Sequence, residues 1–165
     1  MLTELKKHAI LRINENTPRV ARCINELTEE EVWQRPNESS NSMGNLVLHI
    51  CGNMTQYIIS SIGGGKDERV RDEEFGTKGG YTKTELLAKL EATMQQACEV
   101  IEQMNEQEAI RVRMVQGFEY SGIGNIIHAV EHYSYHTGQI AFYTKLLKNK
   151  DLKFYGNMDL NVKNE

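Results

Sequence analysis

The chain is predicted to fold as an all-α four-helix bundle with at least one long crossover connection, and three observations predict it. Four segments of the 165-residue sequence repeat apolar residues at three- and four-residue spacings, the pattern of helices that bury one face. No alternation of strand-like with helix-like segments is present, nor any internal repeat of about 20 to 50 residues, which argues against a parallel sheet or a solenoid. The connectors between the four segments differ in length, as a bundle with a crossover requires.

In the first segment, residues 2–27, Leu2, Leu5, Ala9, Ile13, Val20, Ile24 and Leu27 form one stripe. Pro18 lies inside it and is expected to bend the helix, because its ring removes a backbone donor. "TEEEVWQRP" then reads as a short capped turn: Thr28 with Glu31 three residues on fits a capping box, Pro36 ends the turn, and Trp33 is expected to fill a gap between helices. The loop "NESSNS" offers N-cap residues to a second helix, "MGNLVLHICGNMTQYIISSI", which Gly63, Gly64 and Gly65 stop. After a charged connector, Thr82 and Glu85 open a third helix whose stripe is Leu86, Leu90, Met94, Ala97, Ile101 and Met104. In "EQEAIRVRMVQGFEYSG" apolar residues alternate with arginines, predicting either a short extended segment or an ordered loop. The fourth helix is expected from about Gly122 to about Leu147.

The size fits one domain over residues 1–165, large enough to bury roughly two-thirds of its unfolded surface. A formal charge of −4 with interspersed acidic and basic residues argues against a nucleic-acid footprint, which needs concentrated Lys and Arg. No apolar run reaches the roughly 18 residues of a membrane span, and the N-terminus has acidic residues and no apolar core of a signal peptide. Cys23, Cys51 and Cys98 are odd in number and lack a C-x-x-C, which predicts reduced thiols in a cytoplasmic protein.

The chemistry is concentrated in "HAVEHYSYHTGQIAFY", where His128, His132 and His136 recur every four residues. On a helix these drift by only about 40° per step and lie along one side, with Asn125, Gln139 and Tyr143. A polar stripe ordinarily faces solvent. Here Ile126, Ile127, Val130, Ile140, Ala141 and Phe142 flank it on both sides, so the imidazoles are expected to point inward. The second helix carries a matching polar line, Asn45, His49, Gly52 or Asn53, and Gln56. Unpaired buried amides or imidazoles would cost roughly 1 to 3 kcal/mol each, so the two lines should meet, or hold something between them.

Imidazoles at i and i+4 can converge on one ion at about 2.0 to 2.1 Å, and His49 from a facing helix would complete a set of three with His132 and His136. Three protein ligands leave a coordination position open, as catalytic sites do. A di-iron carboxylate site needs Glu-x-x-His pairs, which the fourth helix lacks. Neither Glu131 nor Cys51 points the way its neighbouring histidine does. His8 reads as an exposed residue, while His128 is either a further ligand or a supporting core residue. Asn45, Gln56, Tyr135, Gln139 and Tyr143 are the candidate supporting groups. The connector "GGGKDERVRDEEF" either roofs the pocket, with Arg69 or Arg71 meeting an anionic substrate group, or remains a solvated loop with local ion pairs.

"NSMGNLVLHICGN" followed by "HAVEHYSYHTGQI" resembles the DinB-like superfamily of bacterial four-helix bundles, in one of its uncharacterised branches, over essentially the whole chain. The resemblance implies an up-down-down-up arrangement, a divalent metal held by His49, His132 and His136, and commonly a homodimer; imidazole ligands suit zinc, nickel, copper and iron, of which zinc, nickel or iron is expected. It leaves the reaction open, some relatives being transferases that join low-molecular-weight thiols such as bacillithiol or mycothiol to electrophiles. Two functions follow as expectations: a metal-dependent enzyme acting on a small molecule, as a thiol S-transferase or hydrolase, or a non-catalytic metal- or ligand-binding stress-response module. No catalytic residue beyond the metal ligands is assigned.

Overall fold

The computed structural model describes residues 1–156 and 158–163. Among these residues the elements run in the order α1 (Leu2–Glu26), α2 (Glu29–Trp33), α3 (Met43–Met54), α4 (Arg71–Gly76), α5 (Lys83–Gln103), α6 (Glu106–Ile110), β1 (Val112–Val115), β2 (Phe118–Ser121) and α7 (Gly122–Lys148). α3 continues into a π-helical segment, Thr55–Ser60. The four predicted helices are α1, α3 with its extension, α5 and α7. The predicted capping boxes are present, Thr28 with Glu31 opening α2 and Thr82 with Glu85 opening α5, and a further box of Ser42 with Asn45 opens α3.

Cross-helix contacts fix the directions. The Tyr133 hydroxyl donates to Thr17 Oγ1 at 3.0 Å, and Lys150 pairs with Glu26 at 2.7 Å, so α1 and α7 ascend together. Lys6 reaches the Met104 carbonyl at 3.1 Å while the Lys83 amide donates to Glu29 at 3.0 Å, so α5 descends beside α1. α3 also descends, since His49 meets His132, Asn53 meets His128 and Ser61 meets Asn125. The order is therefore up-down-down-up. Two successive descending helices require a return path, and residues 63–82 supply it as the long crossover.

Fully buried Ile13, Ile24, Ile50, Ile58, Leu86, Leu90, Ile101 and Ile126 fill the centre, each stabilising by about 1.5 to 3 kcal/mol relative to exposure. α1 runs unbroken through Pro18. Pro18 and Asn14, four residues before it, are both exposed, so water can serve the carbonyl that loses its donor. Residues 106–121, left open between strand and loop, form α6 and an antiparallel hairpin with Val112 opposite Ser121 and Val115 opposite Phe118. Its turn is Gln116–Gly117, with φ of 53° and 81°, the two positive values of a tight hairpin turn.

Trp33 does fill a gap: its Nε1 donates to the Tyr81 carbonyl at 3.1 Å, and a Cβ on Gly44 would come within 2.7 Å of the indole. Gly44→Ala is therefore expected to destabilise the fold by about 1 to 3 kcal/mol through overpacking. An unchanged melting temperature would show that the indole does not bear on α3.

Candidate metal centre

The antiparallel register of α3 and α7 brings the two polar lines together. Because His132 and His136 are one turn apart on α7, their rings lean the same way, and His49 faces them from α3. His132 Nε2 lies 3.0 Å from His49 Nε2 and 3.1 Å from His136 Nε2, and one ring nitrogen from each residue falls within 4.8 Å of the others. His49 and His136 are buried, whereas His132 is partly exposed and marks the open side.

The outer nitrogens decide what the inner ones offer. His49 Nδ1 stands 2.8 Å from a Glu74 carboxylate oxygen, and His136 Nδ1 stands 2.7 Å from Gln139 Oε1. Both are acceptors; Arg69 Nη2 also lies 3.1 Å from His49 Nδ1, but its shorter contact, 2.9 Å, is with Glu74, so in each neutral ring the proton belongs on Nδ1, facing the closer oxygen, and a lone pair is left on Nε2. His132 Nε2, even when protonated, can satisfy only one of these two lone pairs. Three such nitrogens crowded together form a donor set suited to a cation, and imidazole nitrogen suits zinc, nickel, copper and iron.

Burial, reinforced by mutual repulsion with His136, His49 and His128, pushes His132 down to about 3. Burial also lowers His136, to about 4, against the support of the Gln139 hydrogen bond. These two rings are therefore neutral, as ligation requires. Burial works to raise the Glu74 carboxyl, but hydrogen bonds from Arg69 and His49 outweigh it and hold the group below its ordinary range.

The histidine shifts have a consequence for stability. An unfolded chain takes up protons on these rings below their ordinary value of 6.5, while the folded chain resists until about 3 to 4. Metal-free protein should lose stability progressively as pH falls through that window and show no dependence from these groups above it. A melting temperature that stays flat between about pH 7.5 and 5 would contradict this.

The other predicted residues divide. His128 stands outside the cluster: its ring stacks on Tyr57 at 4.1 Å and its Nε2 lies 3.3 Å from the Asn53 amide. Gln139 supports His136 and donates to the Tyr135 hydroxyl at 3.1 Å. Asn45 turns away to hold the connector, donating to the Glu74 and Thr77 carbonyls at 2.8 and 2.6 Å. Gln56 accepts from Arg69 at 2.9 Å. Tyr143 is buried at the edge of a neighbouring groove. His8 is exposed and Glu131 is exposed. Burial raises the Cys23 and Cys51 thiols to about 11, which makes them poor nucleophiles.

Glu74 was not among the predicted residues. It arrives from α4, and Arg69 holds it with two hydrogen bonds of 2.7 and 2.9 Å. The Arg69 side chain is 3% exposed and that of Glu74 11%, so for these two residues the solvated-loop reading of the connector does not hold. Phe75 covers His49 with a ring separation of 4.5 Å, and Arg71 lies 4.8 Å over Phe75. The sequence did hold one signal. Gly52 interrupts a buried helical run, and an isolated glycine there commonly marks a close approach. A Cβ at Gly52 would stand 1.8 Å from Glu74 Oε1.

Residues 3–156 match a protein family of unknown function, DUF1572. No curated protein matches the chain. Among solved structures, a conserved protein from Enterococcus faecalis aligns with a TM-score of 0.75 at 15% identity, over 87% of this chain and 97% of its own. A DinB-like protein from Bacillus subtilis, YjoA, aligns at 0.68 and 19% identity, over 90% and 96%. A DinB-like protein from Bacillus cereus ATCC 10987 aligns at 0.62 and 14% identity, over 84% and 89%. The fold is that of the DinB-like proteins.

Proposed function

The chain belongs to the DUF1572 family, and from the geometry of its imidazoles we propose that it is a divalent-metal-binding protein in which His49, His132 and His136 hold one ion, and a metal-dependent enzyme acting on a small molecule. The observation that carries this reading is the convergence of three Nε2 atoms, two of them left with lone pairs by acceptors at Nδ1. No fourth histidine, cysteine or carboxylate joins them among the described residues, and an open position belongs to catalytic more than to structural sites.

The chain's own residues have separable tasks. Glu74 and Gln139 accept the Nδ1 protons of His49 and His136 and so fix both ring orientations. Phe75 excludes water from the face of His49. Gln139 donates to the Tyr135 oxygen, which leaves the Tyr135 hydroxyl proton free for a substrate at the mouth. When bound, a divalent ion supplies Lewis acidity, favouring the deprotonated form of a thiol or water and polarising an electrophile. That chemistry serves thiol transfer and hydrolysis alike.

A groove of about 390 Å³ runs from Gln139 between α7 and the loop before α3, floored by Met43 and Leu46. Its size suits a small molecule, for which sites of about 300 to 1,000 Å³ are usual, and we place the substrate's apolar part there. The reading includes one domain, a cytoplasmic setting suited to its free thiols, and a homodimer. Among the described residues no helix is long and apolar enough to cross a membrane. For the homodimer, sedimentation should give twice the chain mass, and a monomer at all concentrations would remove this part.

The function is tested by stripping the protein and reloading it with Zn²⁺, Ni²⁺ or Fe²⁺. Loading should raise the melting temperature, and loaded protein should turn over a thiol–electrophile pair or an ester that stripped protein does not. A rise in melting temperature with no turnover in either screen would favour the non-catalytic module, and no rise with any of the three ions would overturn the metal reading.

A further inference from the structure

We infer that the Arg69–Glu74 ion pair is a positioning device that makes the crossover part of the metal site, so that metal affinity and docking of residues 63–81 are coupled. The inference rests on the reading of His49 as a ligand. Glu74 lies behind His49 and acts through it, accepting the Nδ1 proton at 2.8 Å.

The pair is a built feature. Arg69 grips both carboxylate oxygens of Glu74, and its remaining nitrogen donates to Gln56, which in turn donates to Asp67 at 2.7 Å. Gly52 leaves the room on α3 that lets the pair sit against the helix. Asn45 and Arg35 hold the α4 backbone at Glu74, Phe75 and Thr77.

The rest of the crossover is weakly anchored. α4 contributes no buried residue, so docking depends on these polar contacts, on Phe75 against His49 and, at the ends of the crossover, on the Ser60 hydroxyl and the Trp33 indole donating to the Gly65 and Tyr81 carbonyls. Segments with few buried apolar contacts open at low free energy. Docking orients His49 for ligation, and by thermodynamic reciprocity a bound ion must favour docking by the same factor that docking favours the ion. Residues that orient a ligand histidine typically change metal affinity by about 10- to 100-fold.

The experiment measures Zn²⁺ affinity by competition with a chromophoric chelator, and trypsin cleavage after Arg71 and Lys78 with and without Zn²⁺, in wild-type protein, Glu74→Gln and Glu74→Asp. Glu74→Gln should bind Zn²⁺ about 10- to 100-fold more weakly, while Glu74→Asp, which keeps the charge, should recover part of the loss. Zn²⁺ should slow crossover cleavage in wild-type protein and much less in Glu74→Gln. Equal Zn²⁺ affinity in wild type and Glu74→Gln would overturn the inference. So would wild-type cleavage indifferent to Zn²⁺, a result that needs no variant to fold. Wild-type protein that binds no Zn²⁺ would instead overturn the metal reading, and this inference with it.

Discussion

His132→Ala is expected to leave the protein folded and without metal. Its Nε2 is the atom that both other imidazoles approach, at 3.0 and 3.1 Å, so its removal leaves two donors with no third. The ring is partly exposed, and no hydrogen bond of the helical framework depends on it. Burial and its neighbours already push it down to about 3, which makes it a liability in the metal-free fold at acid pH. The metal-free variant should therefore melt at or above the temperature of metal-free wild type at about pH 5, while its metal content falls to the background of the measurement. Turnover should vanish with the metal. A variant that retains a full equivalent of ion would remove His132 from the ligand set.

Arg69→Ala should cost about 3 kcal/mol in denaturant unfolding, the lower end of the range for breaking a buried ion pair. The loss arises because Glu74, 11% exposed, would be left without the two hydrogen bonds that keep it ionised. The cost is limited because the crossover can lift and return the carboxylate to water. Removing both partners, Arg69→Ala with Glu74→Ala, should cost less than the sum of the single changes, a coupling read from a double-mutant cycle. A loss below about 0.5 kcal/mol, the scale of an ordinary surface substitution, would restore the solvated-loop view of this segment.

The contrast between these two sites explains what was legible in the sequence. The stripe Leu86, Leu90, Met94, Ala97 and Ile101 is buried as its spacing predicts, because helical periodicity and capping are local. His49 could be matched to His132 and His136 because two polar lines in apolar helices had few other ways to be satisfied. Glu74 offered no such pattern: it is one acidic residue in a charged run, and its meeting with His49, 25 positions away, depends on how the crossover folds back. The hairpin was hidden for another reason. Gln116 takes a positive φ, a conformation usually signalled by Asn, Asp or Gly. Ile110, Val112 and Met114 alternate but are exposed, so their pattern did not report a buried face.

The π-helical segment Thr55–Ser60 was equally unreadable, since its five-residue hydrogen bonds, Ser61 to Gln56 and Gly63 to Ile58, have no compositional signature. Such segments often lie beside functional sites. Here it sits between His49 and the crossover, and within it Gln56 meets Arg69 while Tyr57 stacks on His128.

Anomalous diffraction from crystals of zinc-loaded protein, measured on both sides of the zinc absorption edge, tests the proposed centre most directly. One peak per chain, within bonding distance of Nε2 of His49, His132 and His136, is the predicted result. A peak elsewhere, or a peak bound by the two α7 histidines with His49 turned away, would contradict it.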